Sequence, residues 1–434
     1  MFYYSTNHRS PKVNFKDATI NGQAPDKGLY FPESIPQVDK KFIESINQYS
    51  NEEIAFNIIK FYAGDSIPEN ELKRIVSETI NFDFPLVKVE ENIFSLELFH
   101  GPTLAFKDVG ARFMSRCLGY FVQNNKRKIT VLVATSGDTG GAVADGFYDV
   151  DGVDVIILYP AGKVSSVQEL QLTTHGKNIT AIEIDGSFDD CQHLVKQAFA
   201  DESIHKKLFL TSANSINVAR WLPQQFYYFF AYKQWLDKNN PPVISVPSGN
   251  FGNICAGLLA HHSGLPVQHF IAACNANDVV HDYLETGNYK TRSSIATLSN
   301  AMDVGNPSNF VRILELFDKE FNSLKNVLSS YSITDDETKE VIKEVYQNNN
   351  YLLDPHGAVG YLGLKKHLQH HPHLQGIFLE TAHPVKFYDV VEPVIQSSIP
   401  MPVAIKNLLD KMKLSLTMKV DYEMFKEYLL EKKN

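Results

Sequence analysis

The sequence predicts an α/β protein built on parallel sheets, preceded by an N-terminal extension. Three observations predict it. From Ile129 onward, short apolar, β-branched runs alternate with helical patterns, the signature of βαβ units. Glycine- and hydroxyl-rich turns follow several of these runs, where open parallel sheets place their ligands. Composition is that of an ordinary globular chain, 44% hydrophobic and 21% charged, which excludes a disordered chain, a collagen and a coiled coil. At roughly 150 residues per domain, the length of 434 residues implies two or three domains. No repeat, low-complexity tract or linker separates them, so two α/β units are expected to be interwoven.

The balance of 50 acidic against 41 basic residues, a net charge of -9, argues against a dedicated nucleic-acid binder. Cys117, Cys191, Cys255 and Cys274 form no C-x-x-C pair and read neither as a disulfide framework nor as a zinc ribbon. A reducing cytoplasm is the expected compartment. Met1–Thr6 lacks the basic and apolar regions of a signal peptide, and no apolar stretch approaches the roughly 20 residues of a membrane span. Neither a nucleic-acid nor a membrane partner is expected. Oligomeric state cannot be read from the sequence.

Residues 1–86 are loop-rich, then helical, and read as an N-terminal structural domain. Ser66-Ile67-Pro68-Glu69 fits a capping box for a helix through Leu72, Ile75 and Val76. Leu86–Val89 and Phe94–Leu98 flank a polar turn and suggest a hairpin. Strands are then expected at Ile129–Ala134, Asp154–Tyr159, Ile179–Ile184, Leu208–Thr211, Val243–Pro247, His269–Cys274 and Gly376–Glu380. Helices are expected at Gly140–Phe147, Ser166–His175, Phe188–Ala200, Val218–Leu236, Ile254–His262 and, capped by Thr334, Asp335–Asn348. The aromatic run Trp221–Tyr232 has helical spacing and reads as core rather than as a base-stacking platform. His367, His370, His371 and His373 lack a neighbouring Cys or acidic residue, and Pro372 interrupts them; they read as a solvated turn and no metal site is expected.

Four segments carry candidate chemistry. In His100–Asp108, Lys107 lies among apolar residues. It is either a surface lysine at a helix start or a buried amine, whose pKa desolvation lowers toward nucleophilic use. Thr135-Ser136-Gly137-Asp138-Thr139-Gly140-Gly141 is a strand–turn–helix join able to hold an anion, or an ordinary βα turn. Ser248-Gly249-Asn250-Phe251-Gly252-Asn253 has two glycines that let the backbone approach a phosphate at a helix N-terminus. Thr381, after the last strand, offers a hydroxyl. Neither G-x-G-x-x-G nor a P-loop occurs, so a dinucleotide or nucleoside triphosphate is not indicated. Lys163, Asn214, Ser215 and Arg220 could supply a second anion site, Arg220 through its bidentate fork, or act as caps and surface charge.

Taken together, these segments resemble the threonine synthase family, pyridoxal-phosphate (PLP) enzymes of fold type II, the tryptophan synthase β group. The likeness begins at Ser5-Thr6 and Ala24–Pro32 and is carried by His100–Asp108, Thr135–Gly141, Ser212–Arg220, Ser248–Gly252, Asp354-Pro355-His356 and Thr381–Pro384. It implies two interwoven parallel-sheet α/β domains. The N-terminal domain would span 1–86 and the catalytic region 87–434, with a smaller substrate domain at about 110–210 inserted in the cofactor domain. It also implies that Lys107 holds PLP covalently, and that Gly249, Asn250, Phe251, Gly252 and Asn253 cradle its phosphate. Thr381 would face the pyridine nitrogen, and Asp138 would lie near the cofactor O3′, where an anion needs a proton or a cation beside it. Thr135, Ser136 and Thr139 would grip the substrate α-carboxylate, and Asn214, Ser215 and Arg220, with Lys163, its phosphate.

The implied reaction converts O-phospho-L-homoserine and water to L-threonine and phosphate, with Lys107 as the base, in the cytoplasm. A phospho-lyase releasing 2-oxobutyrate would share the phosphate clamp, whereas a serine/threonine dehydratase would not need Arg220. A non-catalytic binding protein on the same fold would be free to lose Lys107.

Overall fold

The computed structural model describes residues 1–123 and 128–431. The chain starts with a small antiparallel sheet, in order β2-β1-β3, from β1 (Phe2–Ser5), β2 (Val13–Asn14) and β3 (Tyr30–Pro32). The sequence reading missed these three strands, because segments of two to four residues are too short for a periodic signal. Helices Asn51–Ala63 and Glu69–Thr79 follow. The expected capping box at Ser66 does not form. Ser66 ends a 3-10 turn and its hydroxyl accepts from the Lys16 amide, so Pro68 stands at the N-cap of the second helix without a side-chain cap.

β4 (Leu86–Lys88) and β5 (Ile93–Glu97) pair as the expected hairpin. The helix Lys107–Val122 then carries the chain to a second sheet, built from β6 (Ile129–Ala134), β7 (Val153–Pro160), β8 (Ile179–Asp185) and β9 (Phe209–Ser212). It returns to the first sheet with β10 (Val243–Pro247), β11 (His269–Cys274), β12 (Leu328–Ser332) and β13 (Gly376–Glu380). Last, β14 (Ser415–Lys419) crosses back to pair in parallel with β8. The large sheet has the order β12-β11-β10-β13-β5-β4 and is parallel except for β4; the small sheet, β14-β8-β7-β6-β9, is wholly parallel. The small sheet is therefore not completed by residues near 110–210 alone. β12 and β14 escaped the sequence reading because both lie at sheet edges, where half-exposed residues break the apolar run.

The expected helix Val218–Leu236 is interrupted. It forms as Val218–Trp221, a 3-10 turn Leu222–Gln224 and Gln225–Gln234, because Pro223 lacks an N–H and its ring crowds the preceding turn. Its aromatic run is core, with Phe226, Tyr227, Tyr228, Phe229 and Phe230 all fully buried. Thr334 caps the Asp335–Asn349 helix through a complete capping box with Glu337. His367 departs from the solvated turn expected of the histidine run. It sits 8% exposed on the helix Pro355–His370 and stacks on His269, centroids 5.2 Å apart.

One apolar cluster extends from Tyr3 and Ile54 through Phe113 and Phe226 to Val131 and Ile244, joining the N-terminal region to both sheets. Polar ties reinforce it: the Asn217 side chain donates to the Thr19 carbonyl at 2.8 Å, and Arg312 donates twice to the Tyr30 carbonyl.

Candidate active site

Strand ends from both sheets meet at a cavity of about 1590 Å³. It is lined by Lys107, Thr135, Ser136, Asp138, Thr139, Asn214, Ser215, Arg220, Gly249, Asn250, Phe251, Gly252, Asn253 and Thr381. Lys163 is not among the lining residues. It stands exposed after β7, and its charge faces Asp190. Exposed and outside the cavity lining, it is not brought together with Asn214, Ser215 and Arg220.

Lys107 opens its helix immediately after a bridge between Ala105 and Ala382, and the Phe106 amide donates to the Thr381 carbonyl at 2.8 Å. Backbone pairing thus fixes the lysine beside the threonine. The Tyr227 hydroxyl donates to the Phe106 carbonyl and holds the same turn from the other side. The Lys107 side chain is 16% exposed. Burial pushes its amine below the ordinary lysine value; Asp138 pulls it back up, and Lys386 and Arg220 push it further down.

The glycine loop after β10 is tightly closed. A Cβ on Gly249 would lie 2.6 Å from the Met302 Cα, so only glycine fits there. Phe251 caps the Gly252–His262 helix in the left-handed region, at φ 60°, a strained setting for an aromatic residue of the kind functional sites hold. Among the described residues, the amides of Gly249, Asn250 and Phe251 have no hydrogen-bond partner. Three free amides at a helix N-terminus make a receptor for a dianionic phosphate. The side chains of Asn250 and Asn253 are otherwise engaged. Asn250 bonds the Ser215 hydroxyl at 2.6 Å and the Ser308 amide at 2.6 Å, and Asn253 donates to the Pro247 carbonyl at 2.9 Å. The fit to PLP is therefore good: a buried amine of lowered pKa, a glycine cradle with open amides, and a hydroxyl at the end of β13.

A second group of polar residues lines the same cavity and adjoins the glycine loop through Ser215. Arg220 is 4% exposed; one guanidinium nitrogen donates to the Ala213 carbonyl while Nε, like Oδ1 of Asn214, has no partner. Burial lowers the Arg220 pKa to about 10, which leaves it charged at neutral pH. Ser215 accepts hydrogen bonds from both Asn250 and Asn309, so its own proton remains to donate. The Thr135 hydroxyl accepts from the Gly137 and Gly140 amides and shapes the turn that opens the Asp138–Gly146 helix.

Three residues central to this geometry carried no sequence signal. Lys386 is completely buried and pairs with Asp138 at 2.9 Å. Gln168 donates to the same carboxylate oxygen at 2.9 Å. Arg312, also completely buried, donates to the carbonyls of Tyr30, Ser215 and Ile216 and lies over the Trp221 ring. Each sits in an ordinary helical or turn pattern, and only its tertiary neighbours reveal its use.

Residues 83–376 match the family described as pyridoxal-phosphate dependent enzyme, residues 2–80 the threonine synthase N terminus, and residues 357–429 the threonine synthase C-terminal region. The threonine synthase of Haemophilus influenzae is 44% identical over 432 residues, which is 99% of this chain and 100% of that one. The crystal structure of threonine synthase from Escherichia coli superposes with a TM-score of 0.93 at 40% identity and covers 100% of both chains. A PLP-bound threonine synthase from Brucella melitensis superposes at 0.92 with 35% identity over 99% of each chain. With the lysine, the glycine cradle and the two interwoven sheets already in place, the chain belongs to the threonine synthase family of PLP-dependent lyases.

Proposed function

We propose that this threonine-forming, PLP-dependent lyase takes O-phospho-L-homoserine as its substrate and converts it with water to L-threonine and inorganic phosphate. The observation that carries this reading is the second anion receptor. Arg220, with its unpartnered Nε, and Asn214, with its unpartnered Oδ1, line the same cavity as Lys107 and supply polar groups beyond the glycine loop, which they adjoin through the Ser215–Asn250 hydrogen bond. One phosphate belongs to the cofactor; a second receptor implies a substrate with its own.

In this reading, Lys107 holds the cofactor, and the amides of Gly249–Gly252 hold its phosphate. When bound, PLP supplies an electron sink for the charge left at Cα when its proton departs. Lys107, its pKa lowered by burial, takes protons from the substrate carbon and returns them, a role that contributes about 10²–10⁴-fold. Thr135, Ser136 and Thr139 orient the substrate α-carboxylate at the N-terminus of the Asp138–Gly146 helix. Thr381 presents a neutral hydroxyl to the ring nitrogen. Arg220, Asn214 and Ser215 hold the phosphate before and after its bond to Cγ breaks. The N-terminal residues Thr6, Ala24 and Gly28 line the same cavity and restrict the entry of water.

The same reading divides the chain into an N-terminal domain at 1–86 and a catalytic region at 87–434, with the substrate domain at about 110–210 completed by β14. It places the protein in the cytoplasm, a reducing compartment that suits four buried, free cysteines. No helix among the described residues is long and apolar enough to cross a membrane.

A product assay tests it. The protein is incubated with PLP and O-phospho-L-homoserine, and threonine, 2-oxobutyrate and phosphate are quantified together. Phosphate matched by threonine is expected. Phosphate matched by 2-oxobutyrate would move the function to a phospho-lyase. No phosphate at all would mean that the Arg220 clamp serves another substrate.

A further inference from the structure

Lys386 lies in the 3-10 turn Pro384–Phe387 and has no solvent exposure. Its ammonium group donates to the Thr103 carbonyl at 2.8 Å and pairs with Oδ1 of Asp138 at 2.9 Å; among the described residues it has no other carboxylate partner. Asp138 is 5% exposed. Gln168 also donates to its Oδ1, at 2.9 Å, while Oδ2 faces the Lys107 amine at 3.7 Å. One carboxylate therefore stands between two lysines. It makes the tight contact with Lys386 and the loose one with Lys107.

A carboxylate this deeply buried must be paired. If Lys107 were its only cation, the pair would hold Lys107 as an ammonium ion. An ammonium ion can neither attack an aldehyde nor take a proton from carbon. With Lys386 in place, Asp138 is compensated without Lys107. The other groups around Lys107 do not undo this. Arg220, from the helix Val218–Trp221, repels its positive charge. Asp108, next in sequence, turns away to the amide and hydroxyl of Thr103. Tyr227 is engaged with the Phe106 carbonyl, and His356, on the cavity wall, pairs with Asp354. Asp138 alone pulls toward the charged form.

We propose that Lys386 is a positioning residue which, by neutralising Asp138, keeps that carboxylate from trapping Lys107 as an ammonium ion. The inference rests on Lys107 as the PLP-bearing lysine. Burial and the repulsion of Lys386 and Arg220 act in the same direction.

The test is the pH profile of cofactor attachment in the full chain, stripped of PLP and then given PLP. The rate is followed by the near-visible band, and borohydride reduction with peptide mass analysis identifies the lysine. Lys386→Met is expected to move the midpoint of the rate profile up by roughly 1 pH unit or more. Lys386→Gln, which loses the charge but keeps a donor for Thr103 and Asp138, should move it the same way and serves if the Met variant does not fold. Asp138→Asn should move it down. A purely structural role would slow attachment at every pH without moving the midpoint. An unchanged midpoint in a folded, uncharged variant at 386 overturns the inference. PLP found on a lysine other than 107 in the unmodified protein would instead overturn the assignment of Lys107.

Discussion

The backbone of Met302 closes over Gly249, so that a single methyl group at position 249 would come within 2.6 Å of the Met302 Cα and 3.0 Å of the Ala301 carbonyl. Both are backbone atoms and cannot swing aside. The loop around Met302 is itself pinned, since the Ala301 amide donates to Nε2 of His356. Gly249→Ala should therefore shift the loop amides, weaken PLP binding roughly 10-fold or more and lower stability by about 1–3 kcal/mol. Fluorescence titration with PLP and thermal melts with and without it check this; an unaltered affinity would show that the loop amides are not the phosphate cradle.

Lys107→Ala should remove the near-visible band and any borohydride-fixed PLP. Weak, reversible PLP binding through the glycine loop should persist. Absorbance and the mass of the reduced protein measure both effects, and a retained covalent adduct would move the attachment point elsewhere.

Arg220→Ala should raise KM for the phosphorylated substrate by about 10- to 100-fold, the worth of a charge-assisted hydrogen bond to a desolvated anion. The cofactor band should not change, because the glycine loop does not involve Arg220. Steady-state kinetics beside a PLP titration separate the two, and kinetics equal to those of the unmodified protein would take Arg220 out of the clamp.

Arg312→Met should destabilise the protein by about 3–5 kcal/mol. It removes donors from the carbonyls of Tyr30, Ser215 and Ile216 and leaves those acceptors buried. It also unfastens β3 from the Ser215 loop, so limited proteolysis should cut the N-terminal region faster. Burial lowers the Arg312 pKa only to about 9, so the charge is present at neutral pH. Urea unfolding measures the loss.

Stability should fall on acidification below neutrality. Burial holds His269 and His367 at a pKa of about 4, against roughly 6.5 in an unfolded chain. Between those values the unfolded chain binds protons that the folded one refuses. The stabilisation is complete above pH 6.5 and is lost as pH drops toward 4. Urea midpoints at pH 7.5 and pH 5 should show it, and His367→Phe, which fills the same stacked position without a titrating group, should flatten the dependence.

Much of the fold was legible because parallel strands buried on both faces are continuous apolar runs. β6, β10, β11 and β13 start and end where the sequence reading put them. What was not legible lies where burial is partial or segments are short, as in β1–β3, β12 and β14. In the site, the glycine loop and Lys107 were readable because their chemistry depends on local order: an amide nest and a helix start are made by neighbours in sequence. Lys163 misled for the same reason in reverse. It follows a strand, as binding residues do, yet it stands exposed and outside the cavity.

The amino-acid sequence by itself determined the α/β class, the family, and the segments that meet around the cavity, because these follow from periodicity and from short motifs whose parts are contiguous. Only the tertiary structure decided how charge is distributed within the site. Asp138 and Lys386 are separated by more than 200 residues, and Arg312 is still more remote from Tyr30, yet each pair is in contact. A buried charge is tolerable only where folding brings its partner, and no local pattern records that partner's identity.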